Sequence, residues 1–169
     1  MITGYTDYAV HEEYFPNWET YTPLLSIPGP DVSTKSCTYH GVQTILDPHP
    51  LFARYCEEVM EFWNDKLQDK KLLVPITGWY IKYKVAGWQA LHCHGSSGFP
   101  VVSTILCLSS PPDPSFVARI KKGNRFVEQH FYDTPGKIRL FNSHDVYHGA
   151  LPTTSERNIV VADFKFKYL

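Results

Sequence analysis

From residue 73 to residue 167 the chain is a series of short runs of β-branched and aromatic residues, each stopped by Gly or Pro. Residues 78–85 and 88–94 form two such runs around a turn at Ala86-Gly87. Residues 101–109 are apolar and β-branched, the pattern of a strand buried on both faces, and Pro111-Pro112-Asp113-Pro114 ends them. Residues 116–121 and 125–132 read as a hairpin around Lys122-Gly123-Asn124. Residues 137–142 and 158–167 close the series. Many short strands with frequent Gly and Pro punctuation imply a sandwich or a barrel.

One helix precedes this pattern, over residues 48–70. Asp47 suits the N-cap and Pro48 the first helical position. Leu51, Phe52, Tyr55, Val59, Phe62, Trp63 and Leu67 recur at helical spacing, with Glu57, Glu58, Asp65 and Lys66 opposite, so the helix covers the back of a sheet. Residues 1–46, rich in Tyr, Pro, Thr and Ser, read as short strands and turns broken at Ile27-Pro28-Gly29-Pro30, with a strand at 40–46. The aromatics Tyr5, Tyr8, Tyr14, Phe15, Trp18 and Tyr21 are expected to pack against the sheet.

With 169 residues, no repeats and no linker, residues 1–169 read as one domain: an irregular N-terminal segment (residues 1–46), the helix (48–70) and the β core (73–167). A net charge of -1 gives no reason to expect a nucleic acid or an anionic membrane as partner. Cys37, Cys56, Cys93 and Cys107 lack CxxC spacing and read as free thiols of a reducing compartment. No signal peptide or membrane span is evident, so the cytoplasm is the expected location.

The chemistry concentrates in His92-Cys93-His94, His148 and Arg157. Side chains at i and i+2 of a strand share a face, so His92 and His94 can aim two imidazoles at one point while Cys93 faces away. Imidazole is a common ligand of Fe, Zn, Cu and Ni. A third histidine from a distant strand, His148, completes one face of a coordination sphere and leaves positions open. His11, His40, His49 and His130 lack ligand spacing. Gly95-Ser96-Ser97-Gly98 reads as a lid hinge or a turn.

Four blocks in order carry a resemblance: Tyr80-Ile81-Lys82-Tyr83 ahead of Gly87; Gln89-Ala90-Leu91-His92-Cys93-His94; Pro135-Gly136-Lys137-Ile138-Arg139-Leu140-Phe141; and His148-Gly149-Ala150-Leu151-Pro152 followed by Arg157-Asn158-Ile159. Residues 75–167 thereby resemble the iron(II)- and 2-oxoglutarate-dependent oxygenases, nearest to the small prolyl-hydroxylase-like proteins of bacteria and phages. The resemblance implies a mainly β, cupin-like jelly-roll (a double-stranded β-helix) with the metal at its mouth. It implies Fe(II) on His92, His94 and His148, and the distal carboxylate of 2-oxoglutarate on Arg157, nine residues after His148. Tyr83, nine residues before His92, is implied to help hold that carboxylate. The implied reaction couples oxidative decarboxylation of 2-oxoglutarate, with dioxygen, to hydroxylation of a small-molecule or peptidyl substrate that no motif identifies.

His94 departs from the pattern, because the family normally carries Asp or Glu there. Asp145 is the alternative carboxylate ligand if the backbone turns between it and His148. Asp163, in register with Arg157 along its strand, reads as the structural partner of a buried base. Trp79, Trp88 and Tyr147 are candidate walls of the pocket. Two other functions fit the residues: a three-histidine cupin-type metalloenzyme (a thiol dioxygenase or a zinc enzyme), and a non-enzymatic jelly-roll.

Overall fold

A computed structural model describes residues 9–68, 70–94 and 101–169. Tyr5, Tyr8 and the Gly95–Gly98 segment therefore lie outside the described residues. The elements are β1 (Val10–Tyr14), β2 (Thr38–Ile45), α1 (Pro50–Asn64), β3 (Lys70–His92), β4 (Val101–Cys107), β5 (Phe116–Lys122), β6 (Arg125–Phe131), β7 (Lys137–Asn142), β8 (His148–Ala150) and β9 (Arg157–Tyr168). Short 3-10 turns cover Trp18–Ser26 and Ser33–Lys35.

The strands join antiparallel in the order β1-β7-β4-β9-β3-β8-β5-β6, with β2 on the other edge of β3. The sheet curls so that β8, β5 and β6 face the strands on the far side. This is the expected jelly-roll. Alternation along the central strands gives each a share in two cores. Val102, Leu106, Ile138, Leu140, Val160, Ala162 and Phe164 point outward onto Phe52, Tyr55, Val59 and Trp63 of α1. Ile81, Ile105, Phe141, Ile159 and Val161 point inward to meet Phe116, Ala118, Phe131 and Ala150. All seven residues of β4 are buried for this reason, as its apolar run predicts. Phe15 and Tyr21 reach Tyr55 edge-on, with ring centroids 6.2 and 5.0 Å away, so the N-terminal aromatics fill the seam between helix and sheet.

Two expectations need correction. The helix is Pro50–Asn64, shorter at both ends than 48–70. Its N-cap is His49, whose ring accepts from Leu51 N at 3.2 Å, and Pro50 fills the first turn. Asp47 lies ahead of the cap and turns its carboxylate to β3 instead, accepting from Thr77 Oγ1 at 2.6 Å and Gly78 N at 3.1 Å. At the far end Asn64 turns its side chain onto Leu72, accepting from its N at 2.7 Å and donating to its O at 3.1 Å.

The second correction concerns β3. The turn at Ala86-Gly87 does not end the strand. Ala86 adopts φ 62°, and β3 runs on to His92 through that corner. Before the corner its edge pairs with β9, from Lys70↔Tyr168 to Tyr83↔Arg157; after it the partner is β8, at Gln89↔Ala150 and His92↔His148. One strand thus serves both layers of the jelly-roll.

Gly78 of β3 lies beneath α1. A Cβ there would collide with the Phe52 ring and sit 2.6 Å from Val161 O, and the carbonyl belongs to a central strand that cannot yield. Gly78→Ala should lower unfolding free energy by about 1–3 kcal/mol, the usual cost of overpacking. Urea denaturation checks it, and an unchanged midpoint would show that helix and sheet separate freely at this point.

Candidate metal centre

Strand register assembles the site. His92 and His148 are directly opposite each other on β3 and β8, so their side chains leave the same face. His94 follows His92 by two residues and shares that face, with the two rings 5.1 Å apart. Its backbone N–H donates to Ser143 O at 2.8 Å, which fixes it beyond the end of β3. The three ligand nitrogens all lie within 4.8 Å of one another. His94 Nε2 is 3.2 Å from both His92 Nε2 and His148 Nε2.

The other ring nitrogens decide what those Nε2 atoms can do. His92 Nδ1 is 2.8 Å from Ala90 O and His148 Nδ1 is 2.8 Å from Val146 O. His94 Nδ1 is 2.9 Å from Asp163 Oδ2. These three oxygens accept, and Ser103 Oγ, 3.0 Å from His94 Nδ1, turns its hydrogen to Asp163, so each Nδ1 carries the hydrogen and each Nε2 presents a lone pair. Burial pushes His148 well below the ordinary imidazole value, with the neighbouring histidines adding to it, and burial lowers His92 as well. A proton is therefore a poor occupant of the space between them. Three facing lone pairs at this spacing repel unless a cation joins them, and the spacing suits donors about 2.0–2.1 Å from one ion.

The same cavity is lined by Trp79, Tyr83, Gln89 and Arg157 besides the three histidines. Its remaining walls are Ile81, Ile105, Phe116, Phe141, Ile159 and Val161, with Gly149 and Ala150. Tyr83 and Arg157 are a second directly opposed pair, on β3 and β9, and the guanidinium lies 5.2 Å from the centre of the Tyr83 ring. Arg157 is 1% exposed; its Nε donates to Asp133 at 2.6 Å, while its Nη2 is buried with no hydrogen-bond partner. Burial raises the Tyr83 hydroxyl to about 12, so it stays a phenol. Its oxygen is 3.4 Å from Gln89 Oε1, and Gln89 is held in turn by Ser36 O at 3.0 Å.

No protein-family model matches the sequence, and no curated protein matches it. Solved structures do. A prolyl-4-hydroxylase from Pseudomonas putida superposes with a TM-score of 0.66 at 15% identity, over 92% of this chain and 91% of that one. HygX from Streptomyces hygroscopicus, with nickel, 2-oxoglutarate and hygromycin B bound, gives 0.66 at 16% identity over 95% and 83%. An oxidoreductase of the 2OG-Fe(II) oxygenase family from Burkholderia pseudomallei gives 0.64 at 12% over 88% and 77%. The chain has the 2OG-Fe(II) oxygenase fold.

Within that fold, the expected His92, His94, His148, Arg157 and Tyr83 meet in one cavity. Asp145 does not join them. Its carboxylate accepts from Asn142 Nδ2 at 2.9 Å, and it borders a separate surface depression with Arg119, Phe126 and Tyr147. Of the three expected walls only Trp79 lines the cavity. Trp88 is 39% exposed and stacks on Tyr39 at 4.4 Å, and Tyr147 is 52% exposed. Tyr147 adjoins His148 and so faces the opposite way. Trp88 is turned out by the irregularity between Gln89 and His92, which shifts the alternation by one residue.

Two residues of the site, Asp133 and Gln89, carry no signal of their role in the sequence. Asp133 precedes β7 in a segment without periodicity, and only the fold shows what it does. It is shared by two buried guanidinium groups, Arg157 Nε and Arg139 Nη1, each at 2.6 Å. Burial opposes its ionisation, but Arg157 and Arg139 outweigh burial and hold the carboxyl well below the usual range. Asp133→Asn should cost about 3–5 kcal/mol, because it strands buried positive charge. The unfolded chain takes up this proton near pH 3.9 and the folded chain only at lower pH. The carboxylate's contribution is thus complete above about pH 4 and lost as pH falls below it. Denaturant unfolding of wild type and Asp133→Asn at pH 7 and pH 3 measures both, and the gap between the two proteins should narrow at pH 3.

Proposed function

We propose that this protein is a non-haem iron(II)- and 2-oxoglutarate-dependent hydroxylase, with residues 1–169 as a single jelly-roll domain. The observation that carries the reading is the buried, unpartnered Nη2 of Arg157 in the same cavity as three converging Nε2 lone pairs. A cation at one end and an unpaired guanidinium donor at the other fit a small keto-diacid. His92, His94 and His148 would hold the iron. When bound, Fe(II) supplies the dioxygen chemistry that couples decarboxylation of 2-oxoglutarate to hydroxylation.

The chain's own residues do the rest. Arg157 binds the distal carboxylate through the edge of its fork that Asp133 leaves open. Tyr83 lies against the guanidinium and, as a phenol, can donate to the same carboxylate. Ile81, Ile105, Phe116, Phe141, Ile159 and Val161 exclude water, which strengthens the polar contacts at both ends. The prime substrate is a small molecule or a peptidyl side chain. Relatives by fold include both a prolyl-4-hydroxylase and hygromycin B-bound HygX. All four cysteines are free thiols, which supports a reducing compartment such as the cytoplasm. Among the described residues no helix is long and apolar enough to cross a membrane. Three histidines alone would also suit zinc or a thiol dioxygenase, but neither reading uses the open Arg157 donor.

Anaerobic addition of Fe(II) and 2-oxoglutarate should produce a weak visible charge-transfer band, absent in His92→Ala. Arg157→Lys keeps a positive charge beside Asp133 but loses the fork. It should weaken 2-oxoglutarate binding roughly 10- to 100-fold, the equivalent of about 1.5–3 kcal/mol for a lost charge-assisted hydrogen bond. Under air, wild type should release succinate without added substrate. Stoichiometric iron binding with neither band nor succinate would favour the thiol-dioxygenase reading.

A further inference from the structure

The three histidines are not equivalent. The two rings that match the family's histidine positions, His92 and His148, lean on neutral carbonyls, Ala90 O and Val146 O. The ring at the position where the family carries a carboxylate, His94, leans on one: Asp163, with Oδ2 at 2.9 Å and Oδ1 at 3.1 Å from Nδ1. Asp163 is 6% exposed, and among the described residues its one ion pair is with His94. A buried carboxylate without Lys or Arg beside it lacks a counter-charge. The Nε2 end of His94 is where one can be supplied.

The surroundings hold this carboxylate in place. Ser103 lies directly across from Asp163 on β4 and its hydroxyl donates to Asp163 Oδ1. Ser143 stands 2.6 Å behind Ser103, and the carbonyl of Ser143 fixes the backbone of His94. Ring, carboxylate and both hydroxyls therefore form one buried unit spanning β4, β9 and the two chain segments that follow β3 and β7.

We propose that Asp163 is the carboxylate missing from the ligand set, moved one residue outward: it orients His94 through Nδ1–H and gives that imidazole anionic character. This rests on the hydroxylase reading for its choice of metal. Charge counting favours it. Two histidines and a carboxylate around Fe(II) and dianionic 2-oxoglutarate carry one negative charge. Three neutral histidines carry none, and Asp163 restores the one. Asp163 is then a positioning residue, touching neither the metal nor the substrate, and its removal acts through His94.

The test uses Co(II) and Fe(II) titrations of the whole protein against a competing chelator, followed by the anaerobic Fe(II)–2-oxoglutarate band. Asp163→Asn should weaken metal binding 10- to 100-fold and shift the band, the size of effect usual for a lost outer carboxylate. Ser103→Ala, which takes one hydrogen bond from the carboxylate, should move both in the same direction by less. The double change His94→Asp with Asp163→Asn carries the charge back to the ligand position and should bind Co(II) more tightly than Asp163→Asn alone. Asp163→Asn with wild-type affinity and an unmoved band would overturn the proposal, as would a double variant no tighter than the single one. The metal titrations stand without 2-oxoglutarate. A wild type that binds Co(II) but gives no band with the keto acid overturns the hydroxylase reading alone, and one that binds no metal overturns both.

Discussion

The antiparallel register along one edge of β3 is the constraint on which the site depends. Tyr83 faces Arg157 and His92 faces His148 on that same edge. In an antiparallel ladder a step forward on one strand is a step back on its partner. The nine residues from Tyr83 to His92 match the nine from His148 to Arg157 although the pairing between them is not one-to-one: from Gln89 to His92 three steps on β3 oppose two on β8, and the corner makes up the difference. A slip of one residue between β3 and its partners would turn both pairs toward the opposite face at once. The main chain resists that slip. Ala86 N donates to Thr153 O at 2.9 Å, which ties the connection between β8 and β9 to the corner of β3.

Buried charge is used in two ways around the cavity. Asp133 neutralises Arg157 from behind and shares itself with Arg139, which also reaches Glu12 at 2.9 Å. With Nε committed to Asp133, the guanidinium plane is locked and its remaining edge is presented to the cavity. Arginine suits this position because a planar fork can serve two partners at once, where a lysine ammonium has no such plane. Asp163 faces His94 in the same manner, at the ring nitrogen opposite the one that meets the other two histidines. In both cases a carboxylate on the far side decides which atom faces inward.

Much of this is legible in the chain. Period-two spacing puts His92 and His94 on one face, the resemblance carried by the ordered blocks brings in His148 and Arg157, and the apolar, β-branched run at 101–109 announces a strand buried on both sides. What escapes local reading has local causes. Asp47-Pro48 has the chemistry of a helix start, but Thr77 and Gly78, some thirty residues away, take the Asp47 carboxylate, and the helix begins two residues later. Trp88 misses its expected place on the cavity wall because an irregularity in the ladder shifts alternation without leaving a mark in the sequence. Asp133 lies in a connection where no periodicity exists to read, and its meaning comes from two arginines on different strands.

The corner in β3 explains why two residue pairs so far apart in sequence can line one cavity. Nine residues of straight strand span roughly 30 Å. Yet Tyr83, Arg157, His92 and His148 all line the same cavity. The bend at Ala86-Gly87 and the curl of the sheet around it remove the excess. Glycine is required at the bend, since a Cβ on Gly87 would meet His40 O at 2.5 Å and Lys84 O at 2.9 Å. The residue most necessary to the spacing of the site thus carries no functional group. It lets β2 and β3 approach closely enough for β3 to pass from β9 to β8, and so sets how far the three imidazole rings stand from the guanidinium.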